Sequence, residues 1–340
     1  MIYRALRPLL FALDAEAAHG LALRALKLGL TPRAARAPTV LRRHLLGLDF
    51  PNPVGLAAGF DKHGEVPDAA LGLGFGFVEI GSVTPRPQPG NPRPRVFRAA
   101  ADGAIVNRMG FNSEGHEAVY RRLAARERTG IVGVNLGANG DSDDRLADYV
   151  AGVRRFANVA SYLAINISSP NTKGLRDLQE KEALTRLLSM VAGARADAAP
   201  HPPILVKIAP DLDDDALQSI AETAIGLGID GVIATNTTLA RDGISNPAIA
   251  GEAGGVSGRP LLAPSTRILK RLREIAGNRL VLVGVGGVDS PEAARAKFAA
   301  GADLVQLYTG MVYEGPGLPA RIVRALADDR AERMPGRPAR

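Results

Sequence analysis

Residues 164–179 read A-I-N-I-S-S-P-N-T-K-G-L-R-D-L-Q. The apolar residues at 162–167 predict a short buried strand. Pro170 lacks the N–H that a central strand needs, so the strand must end before it. We therefore expect Asn166, Ser169 and Asn171 at the strand's mouth, where uncharged amides and a hydroxyl can hydrogen-bond a planar polar ligand. The alternative is a plain turn, because every residue of S-S-P-N-T favours turns.

The rest of the chain repeats this pattern. Eight short apolar runs cover residues 54–60, 75–83, 131–139, 162–169, 204–210, 231–238, 280–287 and 304–310. Helical stretches are predicted at 63–73, 114–127, 143–159, 180–197, 213–227, 264–276, 290–300 and 318–328. Strands that alternate with helices indicate parallel βα units, and eight of them predict an α/β fold of the (β/α)8 TIM barrel type. A doubly wound sheet is the alternative, which the even spacing disfavours.

Composition excludes several classes of function. The chain has 340 residues without a cysteine, so thiol catalysis, disulfides and cysteine-ligated metals are excluded, and five scattered histidines lead us to expect no metal site. Aromatic residues make up 4% and tryptophan is absent, which counts against single-stranded nucleic-acid binding. No apolar run is long enough to span a bilayer, and no signal peptide is evident.

The N-terminal segment is basic and helical. Residues 3–13 and 14–30 predict two short helices, the first containing Pro8 and the second N-capped by Asp14, before a linker at 31–38. The first 43 residues hold eight Lys or Arg and two acidic residues, although the net charge of the whole chain is only +7. This asymmetry suggests an anionic partner, membrane or nucleic acid, or else a solvated basic face. The helix pair is either a membrane-surface element or a cap on the main domain.

Two insertions and the C-terminus depart from the βα rhythm. Residues 46–50 predict a small strand before the barrel. The proline-rich segment 85–112 is longer than an ordinary connection, and Asp102-Gly103 predicts a hairpin within it. Residues 330–340 are expected to form a frayed, flexible tail.

Polar residues collect at the C-terminal ends of the predicted strands, where barrel enzymes place their chemistry. Lys207 is unusual because it interrupts an apolar strand. It is interpreted as an ion-pair member, a Schiff-base lysine or a cation beside an electron-rich cofactor. Glycine-rich turns follow the last two strands, as at a barrel phosphate site.

With these residues assembled, the sequence resembles the dihydroorotate dehydrogenase family, in its quinone-dependent, membrane-associated class (class 2). The resemblance spans nearly the whole chain. It is carried by G-L-A-A-G-F-D-K (55–62), E-I-G-S-V-T-P-R-P-Q-P-G-N-P-R-P-R (79–95), N-R-M-G-F-N (107–112), N-I-S-S-P-N-T (166–172), V-K-I-A-P-D (206–211), T-N-T-T (235–238), G-G-V-S-G-R-P-L (254–261) and V-G-G-V (285–288).

The resemblance implies FMN as cofactor. The positions expected around FMN are Ala58, Gly59, Phe60, Asp61, Lys62, Ser82, Asn135, Asn166, Lys207, Thr235, Gly258, Gly287, Tyr308 and Thr309. Dihydroorotate, the precursor of orotate in de novo pyrimidine (UMP) biosynthesis, is expected at Lys62, Asn107, Arg108, Met109, Gly110, Phe111, Asn166, Asn171, Asn236 and Thr237. Ser169 holds the catalytic-base position, where the soluble class has cysteine. The reaction removes a proton from C5 of the substrate and a hydride from C6.

The resemblance also implies an organisation and a location. Residues 1–38 are expected to form a helical segment that contacts membrane lipid and channels a membrane quinone, and residues 44–329 the FMN-binding barrel. We expect a peripheral protein on the cytoplasmic face of the cell membrane, without a nucleic-acid partner and, by preference, monomeric. The rivals are an FMN barrel enzyme for another substrate such as a dihydropyrimidine, a non-redox phosphate-binding barrel, and a non-enzymatic membrane module.

Overall fold

The structure, a computed structural model, describes residues 2–31 and 33–332. These residues form thirteen strands. The strands are β1 (Arg43–Leu45), β2 (Leu48–Phe50), β3 (Val54–Leu56), β4 (Phe77–Val83), β5 (Val96–Ala99), β6 (Ala104–Asn107), β7 (Ile131–Leu136), β8 (Tyr162–Asn166), β9 (Ile204–Ile208), β10 (Gly231–Ala234), β11 (Gly255–Gly258), β12 (Val281–Val285) and β13 (Leu304–Leu307).

The same residues form twelve α-helices. They are α1 (Ile2–Ala12), α2 (Ala15–Lys27), α3 (Pro67–Leu71), α4 (Gly115–Ala124), α5 (Arg145–Phe156), α6 (Lys181–Ala196), α7 (Asp214–Gly226), α8 (Pro247–Ala250), α9 (Leu262–Ala276), α10 (Pro291–Ala299), α11 (Thr309–Glu314) and α12 (Leu318–Glu332). Side-chain caps begin several of them. Asp144, Asp213 and Ser290 each accept a hydrogen bond from a backbone N–H in the first helical turn, which satisfies a donor that the helix leaves free.

Eight strands close into one parallel barrel, in the order β10, β12, β13, β3, β4, β7, β8 and β9. The predicted (β/α)8 barrel is confirmed, and a doubly wound sheet is excluded. Every predicted apolar run contains one barrel strand. Seven of these strands end before the run does, and β4 continues to the end of its run at Val83. The C-terminal ends of all eight strands therefore meet at one face, which is where loops of a TIM barrel form a site.

A short hairpin covers the opposite, N-terminal end of the barrel. The strand predicted at 46–50 is confirmed as β2, which is shorter than predicted, but its antiparallel partner β1 and the two-residue turn between them were not predicted. Leu46 and Gly47 both have positive φ, 57° and 69°, as a tight hairpin turn requires. Phe50 then packs edge-on against Phe77 at the start of β4, with ring centroids 5.3 Å apart, and closes the N-terminal end of the barrel.

A second, three-stranded sheet stands over the C-terminal face. The predicted Asp102-Gly103 hairpin is confirmed, because β5 and β6 pair antiparallel on either side of it. The third strand, β11, pairs antiparallel with β6 and was not predicted as a strand. Gly258 at its end lies so close to the start of β6 that a Cβ there would be 2.2 Å from the carbonyl oxygen of Gly103 and 2.8 Å from the Cα of Ala104.

The two predicted N-terminal helices are present as α1 and α2, and Asp14 caps α2 by accepting from the N–H groups of Glu16 and Ala17. Helix α2 ends at Lys27, three residues before the predicted end. Both helices contact β5 of the sheet that stands over the C-terminal face of the barrel. Arg98 donates to the carbonyl of Leu10 at 3.0 Å. Within residues 2–31 and 33–332, no helix is long and apolar enough to cross a membrane. Residues 330–332 of the predicted tail belong to α12, and 333–340 lie outside the described residues.

Candidate active site

A cavity of about 1290 Å³ lies at the C-terminal ends of the barrel strands. It continues upward between α1 and α2, where its walls include Leu6, Leu10, Leu21 and Leu26. Sites for a single small ligand usually have roughly 300–1,000 Å³. This cavity therefore has room for more than one ligand, with a polar part at the strand ends and an apolar part between the helices.

Interlocked amides form the polar floor of the cavity. Asn166, the last residue of β8, donates to Ser82 Oγ at 2.9 Å and to Asn135 Oδ1 at 3.0 Å. Its own Oδ1 accepts from Asn236 Nδ2 at 3.2 Å. Asn135 is fully buried, and Ser82 also donates to its Oδ1. Each amide thus fixes the orientation of the next, so the floor presents a defined set of donors and acceptors to a planar ligand.

Ser169 lies on the loop that follows β8 and is 6% exposed. Its Oγ accepts from the backbone N–H of Asn171 at 3.3 Å. The side chain of Asn171 in turn donates to Asn107 Oδ1 at 3.3 Å. All three residues line the cavity. The hydroxyl of Ser169 is thereby held beside two amides that can orient a ligand.

Arg176 fastens this loop to the neighbouring strand ends. Its guanidinium donates to the carbonyl of Ser168 at 3.1 Å and to that of Thr237 at 2.9 Å. It also forms an ion pair with Asp211 at 2.8 Å. A planar fork that holds three partners restricts the loop strongly. Arg176 therefore links the loop that carries Ser169 to the segment after β10 that carries Thr237.

Lys207 and Lys62 place two ammonium groups on the cavity wall. Lys207 lies 3.9 Å from the buried carboxylate of Glu79. Burial lowers the pKa of Lys207, and the charge of Glu79 opposes that shift. Lys62 donates to the carbonyl of Gly59 at 2.7 Å, and burial lowers its pKa to about 8. Two cations suit a ligand that is anionic or becomes so.

The glycine-rich loops that follow β12 and β13 form another part of the cavity wall. Ser257 Oγ and Thr309 Oγ1 lie 2.8 Å apart, which joins β11 to the start of α11. Gly287 has a φ of 78°, and a Cβ there would lie 2.5 Å from the Cα of Leu262. Backbone packed this closely lets main-chain N–H groups approach a phosphate, as at other barrel phosphate sites.

Aromatic rings separate the polar and apolar parts of the cavity. Phe60 stands edge-on to Tyr308 and to His19, with centroid distances of 5.6 Å and 5.2 Å. Burial lowers the pKa of His19 to about 3, so this ring is neutral near pH 7. The neck of the cavity is therefore uncharged at His19 and suits an apolar molecule with a polar head.

Comparison with known proteins decides the family. Residues 40–329 match the family described as dihydroorotate dehydrogenase. The chain belongs to the dihydroorotate dehydrogenase family. A relative from Mesorhizobium japonicum named dihydroorotate dehydrogenase (quinone) is 58% identical, covering 94% of this chain and 89% of the relative. One of the same name from Allorhizobium ampelinum is 55% identical, covering 94% of this chain and 90% of its own.

Solved structures agree with this assignment. DHODH from Eimeria tenella in complex with ferulenol has a TM-score of 0.89 at 38% identity, over 94% of this chain and 92% of that chain. A ligand-free structure from the same organism has a TM-score of 0.90, also at 38% identity, over 94% of this chain and 96% of that chain. The membership therefore rests on sequence over most of the chain and on the fold.

The structure brings most of the predicted dihydroorotate dehydrogenase site residues to one cavity. Those that line it are Ala58, Gly59, Phe60, Lys62, Ser82, Asn107, Met109, Gly110, Phe111, Asn166, Ser169, Asn171, Lys207, Thr235, Asn236, Thr237, Gly258, Gly287, Tyr308 and Thr309. Three others do not line it. Asn135 is fully buried within the amide floor, Asp61 accepts from the backbone N–H groups of Glu65 and Val66 at 2.8 Å, and Arg108 pairs with Glu252 at 2.5 Å.

Sequence reasoning missed the groups that support this site. Glu79 and Gln306 are fully buried inside the barrel. Glu79 is the one charged residue of β4, and Gln306 is the one polar residue of β13. That interruption was available as a signal, as it was for Lys207. Glu16 and Arg95 join α2 to the loop before β5. They gave no such signal, because Glu16 lies in an amphipathic helix and Arg95 in a proline-rich loop, where charged residues are ordinary.

Proposed function

We infer that this chain oxidises dihydroorotate to orotate, with FMN as its cofactor and quinone as its electron acceptor, in pyrimidine biosynthesis. The observation that carries this function is the family match over residues 40–329 joined to a single cavity that runs from the strand ends to the N-terminal helices. One end of the cavity is polar and the other is apolar, as a water-soluble substrate and a quinone require.

The residues of the cavity fit FMN. When bound, FMN would supply the redox chemistry, as acceptor of a hydride equivalent from the substrate and donor of electrons to quinone. Lys207 supplies positive charge at the barrel centre, and the amide floor around Asn166 supplies donors and acceptors for a planar ring. The Gly287 turn and the Thr309 hydroxyl would hold the phosphate. The buried Thr237 Oγ1 has no protein partner among the described residues, which is consistent with a polar ligand beside it.

Dihydroorotate would lie between the flavin and the loop that Arg176 fastens. Asn107, Asn171 and Asn236 would orient its polar edges, and Lys62 would neutralise its carboxylate. Ser169 would take the C5 proton. A serine hydroxyl is a weak base, so desolvation and a route for the proton must assist it. The 6% exposure of Ser169 supplies the desolvation.

The apolar slot between α1 and α2 would admit the quinone from a membrane surface. Residues 1–38 would form this membrane-contacting segment and residues 44–329 the catalytic barrel. The basic N-terminal residues favour an anionic lipid surface. We propose a peripheral monomer on the cytoplasmic face of the cell membrane.

Two measurements test the function. A protein purified with bound FMN shows flavin absorbance, and dihydroorotate should bleach it anaerobically. Turnover with a quinone analogue should then exceed turnover with NAD or fumarate. A colourless protein that does not bind added FMN would favour a non-redox barrel. Bleaching by a dihydropyrimidine but not by dihydroorotate would assign a different substrate.

A further inference from the structure

A buried carboxylate lies inside the barrel, one layer below the cavity floor. Glu79 is 0% exposed, and three side chains donate to it. Asn135 Nδ2 lies 2.8 Å from Oε1, while Gln306 Nε2 and Tyr162 OH lie 2.9 Å and 3.0 Å from Oε2. Lys207 Nζ is 3.9 Å from Oε1. A charge this deep is costly unless it is paired and hydrogen-bonded, and here it is both.

The barrel is built around this network. Tyr162 reaches Glu79 by passing over Gly133, where an added Cβ would lie 2.1 Å from the tyrosine ring. Gly133 stands opposite Glu79 on one side and Tyr162 on the other in the sheet register. A glycine is therefore required at this position for the ring to cross the barrel. The packing of this part of the barrel thus accommodates the hydrogen bond from Tyr162 to the Glu79 carboxylate.

Two of the four partners of Glu79 connect it to the cavity. Lys207 lines the cavity wall. Asn135 turns its Nδ2 toward Glu79, which leaves its Oδ1 to accept from Asn166. Glu79 itself does not line the cavity. Its contacts with a ligand would therefore be indirect, through these two side chains.

We propose that Glu79 is a positioning residue for flavin reduction: it is the buried counter-charge that keeps the Lys207 ammonium protonated on the cavity wall, so that the site would remain cationic when a bound flavin gains negative charge. The proposal rests on the proposed function in one respect, the placement of FMN against Lys207.

The charges around Lys207 are few. Among the described residues, Glu79 is the one charged group that acts on the pKa of Lys207. Tyr162, on the adjacent strand β8, is the other titratable member of the network, and burial followed by the nearby Glu79 charge raises its pKa well above the ordinary value, so it stays neutral. Removing the charge of Glu79 leaves only burial acting on Lys207. Its pKa then falls further.

Glutamine at position 79 would remove the charge and keep the shape. Its Oε1 would still accept from Asn135, which preserves the amide floor. Its Nε2 would face Gln306, whose Oε1 is buried without a partner among the described residues. A flip of the Gln306 amide would satisfy both groups. The substitution Glu79→Gln is therefore suited to testing charge alone.

The test compares the reduction potential of bound FMN as a function of pH in the wild type and in Glu79→Gln. As pH rises toward the ordinary lysine pKa of about 10.4, the potential of the variant should fall more steeply than that of the wild type, because reduction must then also return a proton to Lys207. Over the same rise in pH, the rate at which dihydroorotate reduces the flavin should fall in the variant by about tenfold more than it does in the wild type. Glu117→Gln, which removes an exposed carboxylate paired with Arg155, should behave like the wild type.

A second variant covers the case in which Glu79→Gln does not fold. Glu79→Asp keeps the charge but draws it away from Lys207, and should give an intermediate steepening. Potentials that run parallel to the wild type across the pH range, in whichever of the two variants folds, would overturn the proposal. If the wild type itself binds no flavin, the proposed function fails instead, and the two failures are distinct.

Discussion

Glu16 on α2 and Arg95 on the loop before β5 form a two-pronged ion pair, with Arg95 NH2 2.7 Å from Oε1 and Nε 3.1 Å from Oε2. Arg95 also donates to the carbonyls of Pro89 and Asn91 at 2.7 Å and 2.9 Å. Its side chain is 6% exposed. One guanidinium therefore joins an N-terminal helix to the long loop over the barrel, and its partner Glu16 lines the cavity.

Breaking this ion pair should loosen the N-terminal helices. Glu16→Gln should weaken their docking by about 2 kcal/mol, since a charged hydrogen-bonded partner is lost and Arg95 remains buried. Limited trypsin digestion should then cut within the first 30 residues faster than in the wild type, and quinone reduction should drop more than flavin reduction by dihydroorotate. Arg93→Gln is the matched control, because Arg93 also contacts Glu16 at 3.0 Å but is 70% exposed. Equal digestion of all three proteins would contradict the tether.

Removal of the Ser169 hydroxyl should affect chemistry and leave FMN binding intact. In Ser169→Ala the flavin contacts are unchanged, but proton removal from C5 loses its base. Steady-state turnover should fall about 100-fold or more, while the FMN content and visible spectrum stay at the wild-type values. Stopped-flow reduction by dihydroorotate measures the step directly. Wild-type turnover near neutral pH would remove Ser169 from the role of base.

Lys207 and Glu79 should be coupled in stability. Lys207→Ala leaves the buried carboxylate without its cation, which costs about 3–5 kcal/mol for a broken buried pair. The variant should also lose or loosen FMN. The double variant Lys207→Ala with Glu79→Gln should recover part of the lost stability, because neither charge is then left alone. Urea unfolding of the FMN-free proteins gives the coupling. Additive losses in the two single variants would show that the pair does not interact.

Acid should destabilise the protein through His116. This ring is buried and packs edge-on against Phe156 with centroids 5.2 Å apart. Burial, with a smaller effect from Arg155, lowers its pKa to about 4, whereas in the unfolded chain it is about 6.5. The unfolded state therefore binds the proton first, and stability is lost as pH falls from about 6.5 to about 4, by up to about 3 kcal/mol.

Replacing this histidine should remove that loss. The free energy of unfolding of His116→Leu, measured by urea at a series of pH values, should depend less steeply on pH within this window. Above about pH 7.5 the two proteins should run parallel, because the histidine is neutral in both states there. The same slope in both proteins below pH 6.5 would show that His116 can accept a proton without unfolding.

The barrel was predictable because each strand is a local event. An apolar run that ends in Gly, Pro or polar residues defines a strand and its C-terminal end, and the runs at 162–169 and 204–210 contain β8 and β9. The strands were predicted too long because apolar residues continue into the loops, as at Ala138 after β7. The β1–β2 hairpin was missed because Leu46 adopts a positive φ of 57°. Leucine rarely adopts this conformation, so its presence in the sequence does not indicate a turn.

Much of the candidate site was also predictable, since its side chains sit at strand ends and face one cavity. The supporting contacts were not. Glu79 and Gln306 meet across the barrel from strands 227 residues apart, and Glu16 meets Arg95 across 79 residues. No local pattern encodes such pairs, because closure of the barrel and docking of α2 bring them together. Arg108 shows the converse: its motif fits, but Glu252 takes its side chain away from the cavity.

The N-terminal helices expose apolar side chains that should contact lipid. Six of the nine exposed large hydrophobic side chains among the described residues lie in these helices or directly after them: Leu6, Leu9, Leu13, Leu21, Leu28 and Leu30. Basic residues, including Arg24 and Lys27, lie in the same helices. Apolar side chains beside cationic ones are typical of helices that lie on an anionic membrane surface.

Replacing these leucines should separate membrane binding from catalysis. Leu9→Ser combined with Leu28→Ser should weaken binding to vesicles that contain anionic lipid, and should slow reduction of a long-tailed quinone in those vesicles. Reduction of the flavin by dihydroorotate should be unchanged, because Leu9 and Leu28 do not line the cavity. Leu239→Ser is the matched control, since Leu239 is 51% exposed but lies on the loop after β10.

Deleting residues 1–30 should have the same effect in a stronger form. The barrel should remain folded, and dihydroorotate should still reduce its FMN, but the apolar route to the flavin is gone and long-tailed quinone should no longer reoxidise it. Vesicle binding by the intact protein should weaken as salt rises from about 0.05 M to about 0.5 M, because screening shortens the reach of the basic residues. Co-sedimentation with vesicles measures the binding, and anaerobic reduction followed by quinone addition measures the two half-reactions. A truncated protein that reduces long-tailed quinone in vesicles as fast as the intact one would show that the helices are not the quinone's route.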